Sequence, residues 1–406
     1  METITLFTFA PTPGQKCKIQ IIQMSIILSL LLTCLPVAQA QSYVSAPNEK
    51  SPQINLDKLT KKAGSGDIQA QLQLGFAYQF GKGVAQNFNE AIRWYRMAAN
   101  SGDPSAQNNL GYLYQMGPEG IRNLEEAGRW FMRGAVDGNP AAQLNLGLFY
   151  LRGARTNQSK DDAIYWIQRA VDAEDRRAMT VLGYLYSVGM GVAKDPIKAF
   201  KLAQKAATKN DPGGQALLGT LYAIGMGVSK DAGQAVNWYR KAMDAGDASA
   251  QYGLGTMYEV GQGVARDEQE ALRLYRLAAE HGSVDAQQAL GQIYEFGQGT
   301  GVDSGAAAKW YQMAAEQGSP VSATRLGTML FDGDGIVRNI SEAVKWWSFA
   351  AERGNSESQL RLAEMYWKGL SVPRDLAKAY SLLTSAAKSR DVSKELNEVA
   401  SEMNRK

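Results

Sequence analysis

The segments "EVGQGVARDEQEALRLYRLAAEHG" (259–282) and "EFGQGTGVDSGAAAKWYQMAAEQG" (295–318) carry nearly the same pattern 36 residues apart. A Leu-Gly pair shortly before each segment recurs along the chain at the same 36-residue spacing, without one insertion or deletion. We call its second residue the marker position; the nine markers are Gly75, Gly111, Gly147, Gly183, Gly219, Gly255, Gly291, Gly327 and Ala363. A fixed period of this length predicts an array of stacked structural repeats.

Each repeat predicts two helices. In the first helix, Ala70, Leu74 and Tyr78 are spaced four apart and therefore share one side. The glycines of "GKGV" (81–84) predict the end of that helix, because glycine adopts the left-handed conformation found there. Aspartates that recur before the second helix are expected to cap it; they are Asp195, Asp231, Asp267, Asp303 and Asp375.

The second helix carries small and aromatic residues at helical spacing, as in Ala91, Trp94 and Tyr95. The marker glycine lies inside the first helix, where glycine costs about 1 kcal/mol relative to alanine. We therefore expect a neighbouring helix to approach it closely. One helix pair cannot bury its apolar face alone, whereas a stack of nine pairs buries a continuous core. The predicted fold class is all-α, an α-solenoid of about nine helix-turn-helix repeats.

The pattern "AQYGLGTMYEVGQGVARDEQEALRLYRLAAEHG" (250–282) resembles the Sel1-like repeat family, a branch of the tetratricopeptide-like helical repeats. The resemblance covers roughly residues 67–390. It implies a right-handed superhelix whose first helices line a concave face. It also implies a role in assembling proteins, as in adaptors of secretion, envelope assembly, signalling and host contact. One exported subgroup is cysteine-rich and linked to β-lactam binding, but this chain lacks the cysteine pair per repeat that marks it.

The N-terminus has the layout of a secretory signal. Lys16 and Lys18 precede the apolar run "IIQMSIILSLLLTCLPVAQA" (21–40), which ends in a small-residue site, so we expect cleavage after Ala40. Alternatives that stay open are a retained membrane anchor, a lipid-modified Cys34 and a translation start at Met24. The signal predicts a periplasmic or secreted protein.

The expected domain organisation follows from these two patterns. Residues 1–40 form the signal peptide, and residues 41–66 form an N-terminal segment with a capping helix. The nine repeats occupy residues 67–390, and a polar C-terminal capping helix occupies residues 391–406. Both cysteines, Cys17 and Cys34, fall in the signal, so the mature chain forms no disulfide and is held by packing alone.

Composition restricts the class of partner. The 43 Lys and Arg residues nearly balance the 40 Asp and Glu residues, and no polybasic run occurs, so we expect no nucleic-acid partner. No apolar run in the mature chain is long enough to span a bilayer. The predicted partner is a protein. Contact with peptidoglycan or with a host protein is left open.

Catalytic motifs are not evident. The single histidine, His281, has no cysteine or second histidine to complete a metal site or a catalytic triad, and we expect no cofactor, metal or catalytic residue. The "DGDG" at 332–335 lacks the later ligands of a calcium loop. Glu259, Glu295 and Asp332 fall near one phase of successive first helices. They are read as a solvated face, with a cell-wall-binding or cell-wall-hydrolysing protein as the alternative.

The side of the first helix opposite the core is expected to bind the partner. Three positions of each repeat lie on that side, and we call them phases: the third residue before the marker, the first after it and the fourth after it. In the first four repeats these phases are rich in apolar and aromatic residues. We call these residues the predicted patch; they are Leu72, Phe76, Tyr112, Leu144, Leu148, Leu151 and Tyr184. The alternative is that the rings pack against neighbouring first helices as core. Phe331 and Trp367, near the C-terminus, are a second contact or packing elements beside the cap.

Overall fold

The computed structural model describes residues 56–153 and 160–404, and every regular element in these ranges is an α-helix. The all-α repeat prediction is therefore confirmed, whereas the signal and the proposed cleavage site lie outside the described residues. In chain order the helices are α1 Leu56–Gly64, α2 Ile68–Phe80, α3 Phe88–Asn100, α4 Pro104–Met116, α5 Leu124–Val136, α6 Pro140–Leu151, α7 Lys160–Asp172, α8 Arg176–Val188, α9 Pro196–Thr208, α10 Pro212–Ile224, α11 Ala232–Asp244, α12 Ala248–Val260, α13 Glu268–Glu280, α14 Val284–Phe296, α15 Ser304–Glu316, α16 Pro320–Asp332, α17 Ile340–Glu352, α18 Ser356–Lys368, α19 Leu376–Ala386 and α20 Ser393–Met403.

Helices α2 to α19 form nine pairs, in which each first helix packs mainly on the second helix of its own repeat. The helices group into two compact units, an N-terminal unit with α1–α11 and a C-terminal unit with α12–α20. Each unit has its own buried clusters of Ala, Leu and aromatic side chains. The lone helices α1 and α20 pack on α2 and α19 respectively.

Local sequence determines where the helices begin and end. The predicted aspartate caps are confirmed, since the side chain of Asp195 accepts a hydrogen bond from the Lys198 amide and the other four do the same in their repeats. Such bonds satisfy amides that have no partner inside the helix. The predicted glycine stop is also confirmed. Gly81 ends α2 with a φ of 67°, in the left-handed region that favours glycine.

The marker glycine leaves space for a ring of the second helix. A Cβ placed on Gly75 would lie 2.5 Å from ring carbons of Tyr95, and one on Gly291 would lie 2.5 Å from Tyr311. Real Cβ atoms do not approach other atoms this closely, so any side chain here would push the helices apart. The expected close approach is confirmed, and its partner in six of the nine repeats is the aromatic residue 20 positions later.

A row of buried glutamines links five of the nine repeats to the preceding helix. Gln71 Nε2 donates to the Ala63 carbonyl at 3.0 Å, and Gln287 and Gln359 donate to the carbonyls of Ala279 and Ala351 at 3.1 and 3.0 Å. These carbonyls lie in the last turn of a helix, where each also accepts the backbone amide of the glycine three residues later. The contact was not predicted from sequence, although glutamine stands four residues before the marker in seven of nine repeats.

Substitution of two glycines in repeat 7 tests the packing role of the marker. We expect Gly291→Ala to lower the free energy of unfolding by about 1–3 kcal/mol, because the added methyl overpacks the Tyr311 ring. Gly305→Ala is the matched control. Its Cβ would have only ordinary contacts, 3.4 Å at the closest, and the better helix propensity should raise stability by up to about 1 kcal/mol. Urea unfolding measures both, and equal effects would contradict the packing role.

Candidate partner-binding surface

The structure places most of the predicted patch inside the N-terminal unit. Tyr184 and Leu144 are only 2% and 1% exposed, and Leu72 and Phe76 are each 7% exposed. The remaining members, Tyr112, Leu148 and Leu151, are half-buried. The expectation of an open row is therefore wrong at four of the seven positions, while a binding role for the patch stays a prediction.

Contacts between neighbouring first helices explain this burial. Asn145 Nδ2 on α6 donates to Asn108 Oδ1 on α4 at 2.8 Å, and both side chains are buried. Within α2, the rings of Phe76 and Phe80 pack with centroids 4.7 Å apart. Side chains of this row thus fill the spaces between the first helices of the N-terminal unit. This is the core-packing alternative considered for these rings.

The aromatic residues near the C-terminus are also packing elements. Phe331 is 5% exposed, and its ring centroid lies 5.5 Å from that of the fully buried Trp347. Trp367 is half-buried, and its Nε1 donates to Glu402 of α20 at 3.0 Å. Arg374 also pairs with Glu402. These contacts attach α20 to the last repeat, so they fit the packing interpretation rather than a second partner contact.

The first helices of the C-terminal unit leave a different set of side chains accessible. Val260 at the end of α12 and Phe296 at the end of α14 occupy the same register and are 51% and 53% exposed. Gln292 on α14 and Arg325 on α16 are exposed as well. These residues were not predicted from sequence, because the apolar row that marks the first four repeats does not continue into them.

We name the accessible side chains on two of these helices the α14–α16 face; they are Gln292, Glu295, Phe296, Arg325 and Thr328. Glu295 is at its centre. Its Oε2 accepts the hydroxyl of Tyr311 at 2.6 Å, and its Oε1 lies 3.6 Å from Arg325 Nη1. The Arg325 guanidinium also lies 6.0 Å from the centroid of the Phe296 ring. The face combines an exposed ring, a cation held beside it and an anchored carboxylate.

Two of the carboxylates that could have served a hydrolytic reaction accept hydrogen bonds from buried tyrosines. Tyr275 donates to Glu259 Oε2 at 2.7 Å, as Tyr311 does to Glu295 one repeat later. Burial raises the pKa of both tyrosines, and the adjacent carboxylate raises it further, so both phenols stay protonated donors. Asp332, whose pKa burial also raises, lies one residue beyond the register of the two glutamates. Glu259 and Glu295 therefore act first as acceptors for buried hydroxyls.

His281 has a structural position. It caps the C-terminus of α13, and its Nδ1 lies 2.9 Å from Gln251 Oε1. Among the described residues, no three His, Cys, Asp or Glu side chains converge to hold a metal ion. In "DGDG", Gly333 ends α16 in the left-handed conformation and Gly335 packs against Ser304. This stretch is the regular turn of its repeat. In the described ranges no helix is both long and apolar enough to cross a bilayer.

Comparison with known proteins agrees with the repeat geometry. The family model described as Sel1 repeat matches nine segments, namely 68–103, 104–135, 140–175, 176–211, 212–247, 248–283, 284–319, 320–355 and 356–391. These segments span most of the chain, so the protein belongs to the Sel1 repeat family. Proteins of this family are generally protein-interaction scaffolds with a non-catalytic repeat fold.

Two solved structures of bacterial proteins are similar to this chain. A Sel1 repeat protein from Oxalobacter formigenes is 31% identical, with a TM-score of 0.48, over 76% of this chain and 90% of that chain. A protective antigen of uropathogenic Escherichia coli strains, displaying an SLR fold, is 27% identical, with a TM-score of 0.43, over 86% of this chain and 91% of that chain. No curated protein sequence matches this chain significantly.

The tyrosine–glutamate contact gives a test of the role of Glu295. We expect Glu295→Ala to lower the free energy of unfolding by about 1–3 kcal/mol, because the buried Tyr311 hydroxyl loses its acceptor. Glu295→Gln keeps an acceptor and should cost less. Adding Tyr311→Phe to Glu295→Ala should recover part of the loss in urea unfolding. A double variant that is no more stable than Glu295→Ala would contradict the assignment.

A second comparison separates the two interpretations of the predicted patch. Tyr184→Ala should cost about 3–5 kcal/mol, since it empties a buried aromatic site, and the half-buried Tyr112→Ala should cost clearly less. Melting temperatures measured by circular dichroism check both. If Tyr184→Ala left the melting temperature unchanged, Tyr184 would not be the packing element that its burial indicates.

Proposed function

We propose that this member of the Sel1 repeat family is an exported scaffold that binds a protein partner through the first helices of its C-terminal unit. The observation that carries the proposal is the α14–α16 face, where an exposed Phe296 lies beside an exposed Arg325. Aromatic and arginine side chains are the residues most often found at the energetic centres of protein interfaces. In the other repeats, most side chains on this side of the first helices are buried by packing.

The state of Arg325 supports this role. Its side chain is 47% exposed, and its one ion pair with a described residue, Glu295, is long at 3.6 Å. A guanidinium has five N–H donors, so several stay available to a carboxylate or carbonyl of a partner. Glu295 is held by Tyr311 and pairs with the guanidinium that lies 6.0 Å from the centroid of the exposed ring. We therefore expect the partner to present an acidic or carbonyl group next to an apolar side chain.

The proposal includes export of the protein from the cytoplasm. The signal pattern that ends at Ala40 supports export to the periplasm or beyond the cell. The lack of cysteine after residue 40 is compatible with a protein held by packing in that environment. A partner in the bacterial envelope and a partner from a host cell are both consistent with export. The alternative function, binding or hydrolysis of cell-wall polymer, gains no support from Glu259 and Glu295, because buried tyrosines use them.

Affinity capture tests the proposal. The protein is expressed from residue 1, immobilised, and incubated in parallel with envelope extract, host-cell lysate and purified peptidoglycan. We expect a specific protein to be retained by the wild type and lost from the double variant Phe296→Ser/Arg325→Gln, with an unchanged melting temperature. Loss of one arginine and one aromatic anchor should weaken binding by about 2 kcal/mol or more.

A matched variant controls for general surface effects. Met313→Ser/Lys309→Gln removes one exposed apolar side chain and one exposed cation from α15, the second helix of the same repeat, whereas the α14–α16 face lies on first helices. It should retain the partner. Equal loss from both double variants, or retention by Phe296→Ser/Arg325→Gln, would rule out this face as the binding site. Retention on peptidoglycan with no captured protein would favour the cell-wall alternative.

A further inference from the structure

The second helices of the N-terminal unit carry a row of exposed cations. One lies 22 residues after the marker in each of four consecutive repeats, on α5, α7, α9 and α11. We call it the basic row; its members are Arg133, Arg169, Lys205 and Lys241, and all four are exposed. All four occupy one register on successive second helices, so the row places one cation per 36-residue repeat.

Most of this charge is not neutralised. Within the described residues, no carboxylate lies within 4.0 Å of Arg133, Arg169 or Lys241. Lys205 is the exception, with Glu174 at 2.6 Å. Arg133 and Lys241 instead lie 5.0 and 4.2 Å from the tryptophan rings of their own helices. The row thus presents cations that have kept their capacity to pair with an external anion.

The C-terminal unit carries the complementary row. A glutamate stands 25 residues after the marker in three consecutive repeats, on α13, α15 and α17. We call it the acidic row; its members, Glu280, Glu316 and Glu352, are exposed and form no ion pair with described residues. Each is the last residue of its helix. A carboxylate there is opposed by the helix dipole, so helix stability does not explain the placement.

Charge differs between the units as a whole. Among described residues, the N-terminal unit has 22 Lys and Arg against 17 Asp and Glu, whereas the C-terminal unit has 15 against 21. Exposed apolar side chains border both rows. Val136 and Tyr165 flank the basic row at 66% and 53% exposure, and Met313 flanks the acidic row at 42%. Each row therefore combines charge with the apolar area that an interface needs.

We propose that the basic row is a docking surface for the acidic row of a second copy of this chain. The two rows have the same spacing, because both place one charge per 36-residue repeat on successive second helices. Asp172 and Asp244 border the basic row. They would repel an occupant that is uniformly negative, so a partner with separated carboxylates fits the row better. The association uses the second-helix side and leaves the α14–α16 face free, so it is independent of the proposed function.

Sedimentation velocity tests the proposal on the full protein at low and at physiological salt. We expect concentration-dependent self-association that weakens as salt rises, since the rows are exposed. Reversal of the acidic row, Glu280→Lys/Glu316→Lys/Glu352→Lys, should weaken association roughly 10-fold, because each exposed pair contributes a few-fold. Reversal of the basic row, Arg133→Glu/Arg169→Glu/Lys241→Glu, should do the same.

An equimolar mixture of the two reversed proteins is the decisive experiment. One protein then carries two basic rows and the other two acidic rows, so the mixture should associate although neither protein does so strongly alone. The matched control is Glu268→Lys/Asp334→Lys/Glu398→Lys, which makes the same change of charge at exposed acids off the row. It should associate as the wild type does. If a reversed protein fails to fold, Gln replaces Lys or Glu at the same positions. A wild type that stays monomeric at low salt, a control as weak as the reversed proteins, or a mixture that does not associate would overturn the proposal.

Discussion

The contact between the marker glycine and the aromatic ring 20 residues later, present in six of the nine repeats, is the constraint on which the packing of those repeats depends. With a Cβ at Gly255 or Gly291 the ring of Tyr275 or Tyr311 would have no space, because the added atom would lie within 2.5–2.7 Å of ring carbons. The close approach lets the second helix present alanines to its neighbours. The glutamine row then joins that helix to the next repeat. The ring's hydroxyl in turn needs an acceptor from the first helix, which Glu259 and Glu295 supply.

Much of this frame was predictable from sequence. A strict 36-residue period gave the repeat count, and aspartates and glycines at fixed offsets gave the helix ends, because capping is local chemistry that acts within a few residues. The glutamine row was predictable in principle, since Gln71 recurs in register. Its partner is a carbonyl of another repeat, however, and only the packed helices reveal which one.

The binding surface was harder to predict because periodicity shows which side of a helix a residue occupies, but not how near the next helix lies. Leu144 and Tyr184 occupy the expected side and are nevertheless buried, since neighbouring first helices in the N-terminal unit meet there. One side chain of the same row in the C-terminal unit, Gln292, is exposed. Phe296 escaped notice because it lies one residue beyond the three phases considered.

The lone histidine has a practical consequence. His281 is the single imidazole in the whole sequence, and it joins the end of α13 to Gln251 on α12. Its Hε1 proton therefore gives the one histidine line downfield of the Phe, Tyr and Trp ring protons in D2O, where exchange removes the amide signals, and it needs no residue assignment. The chain thus contains its own spectroscopic reporter for one defined helix pair, in a repetitive protein whose near-identical units otherwise produce overlapping signals.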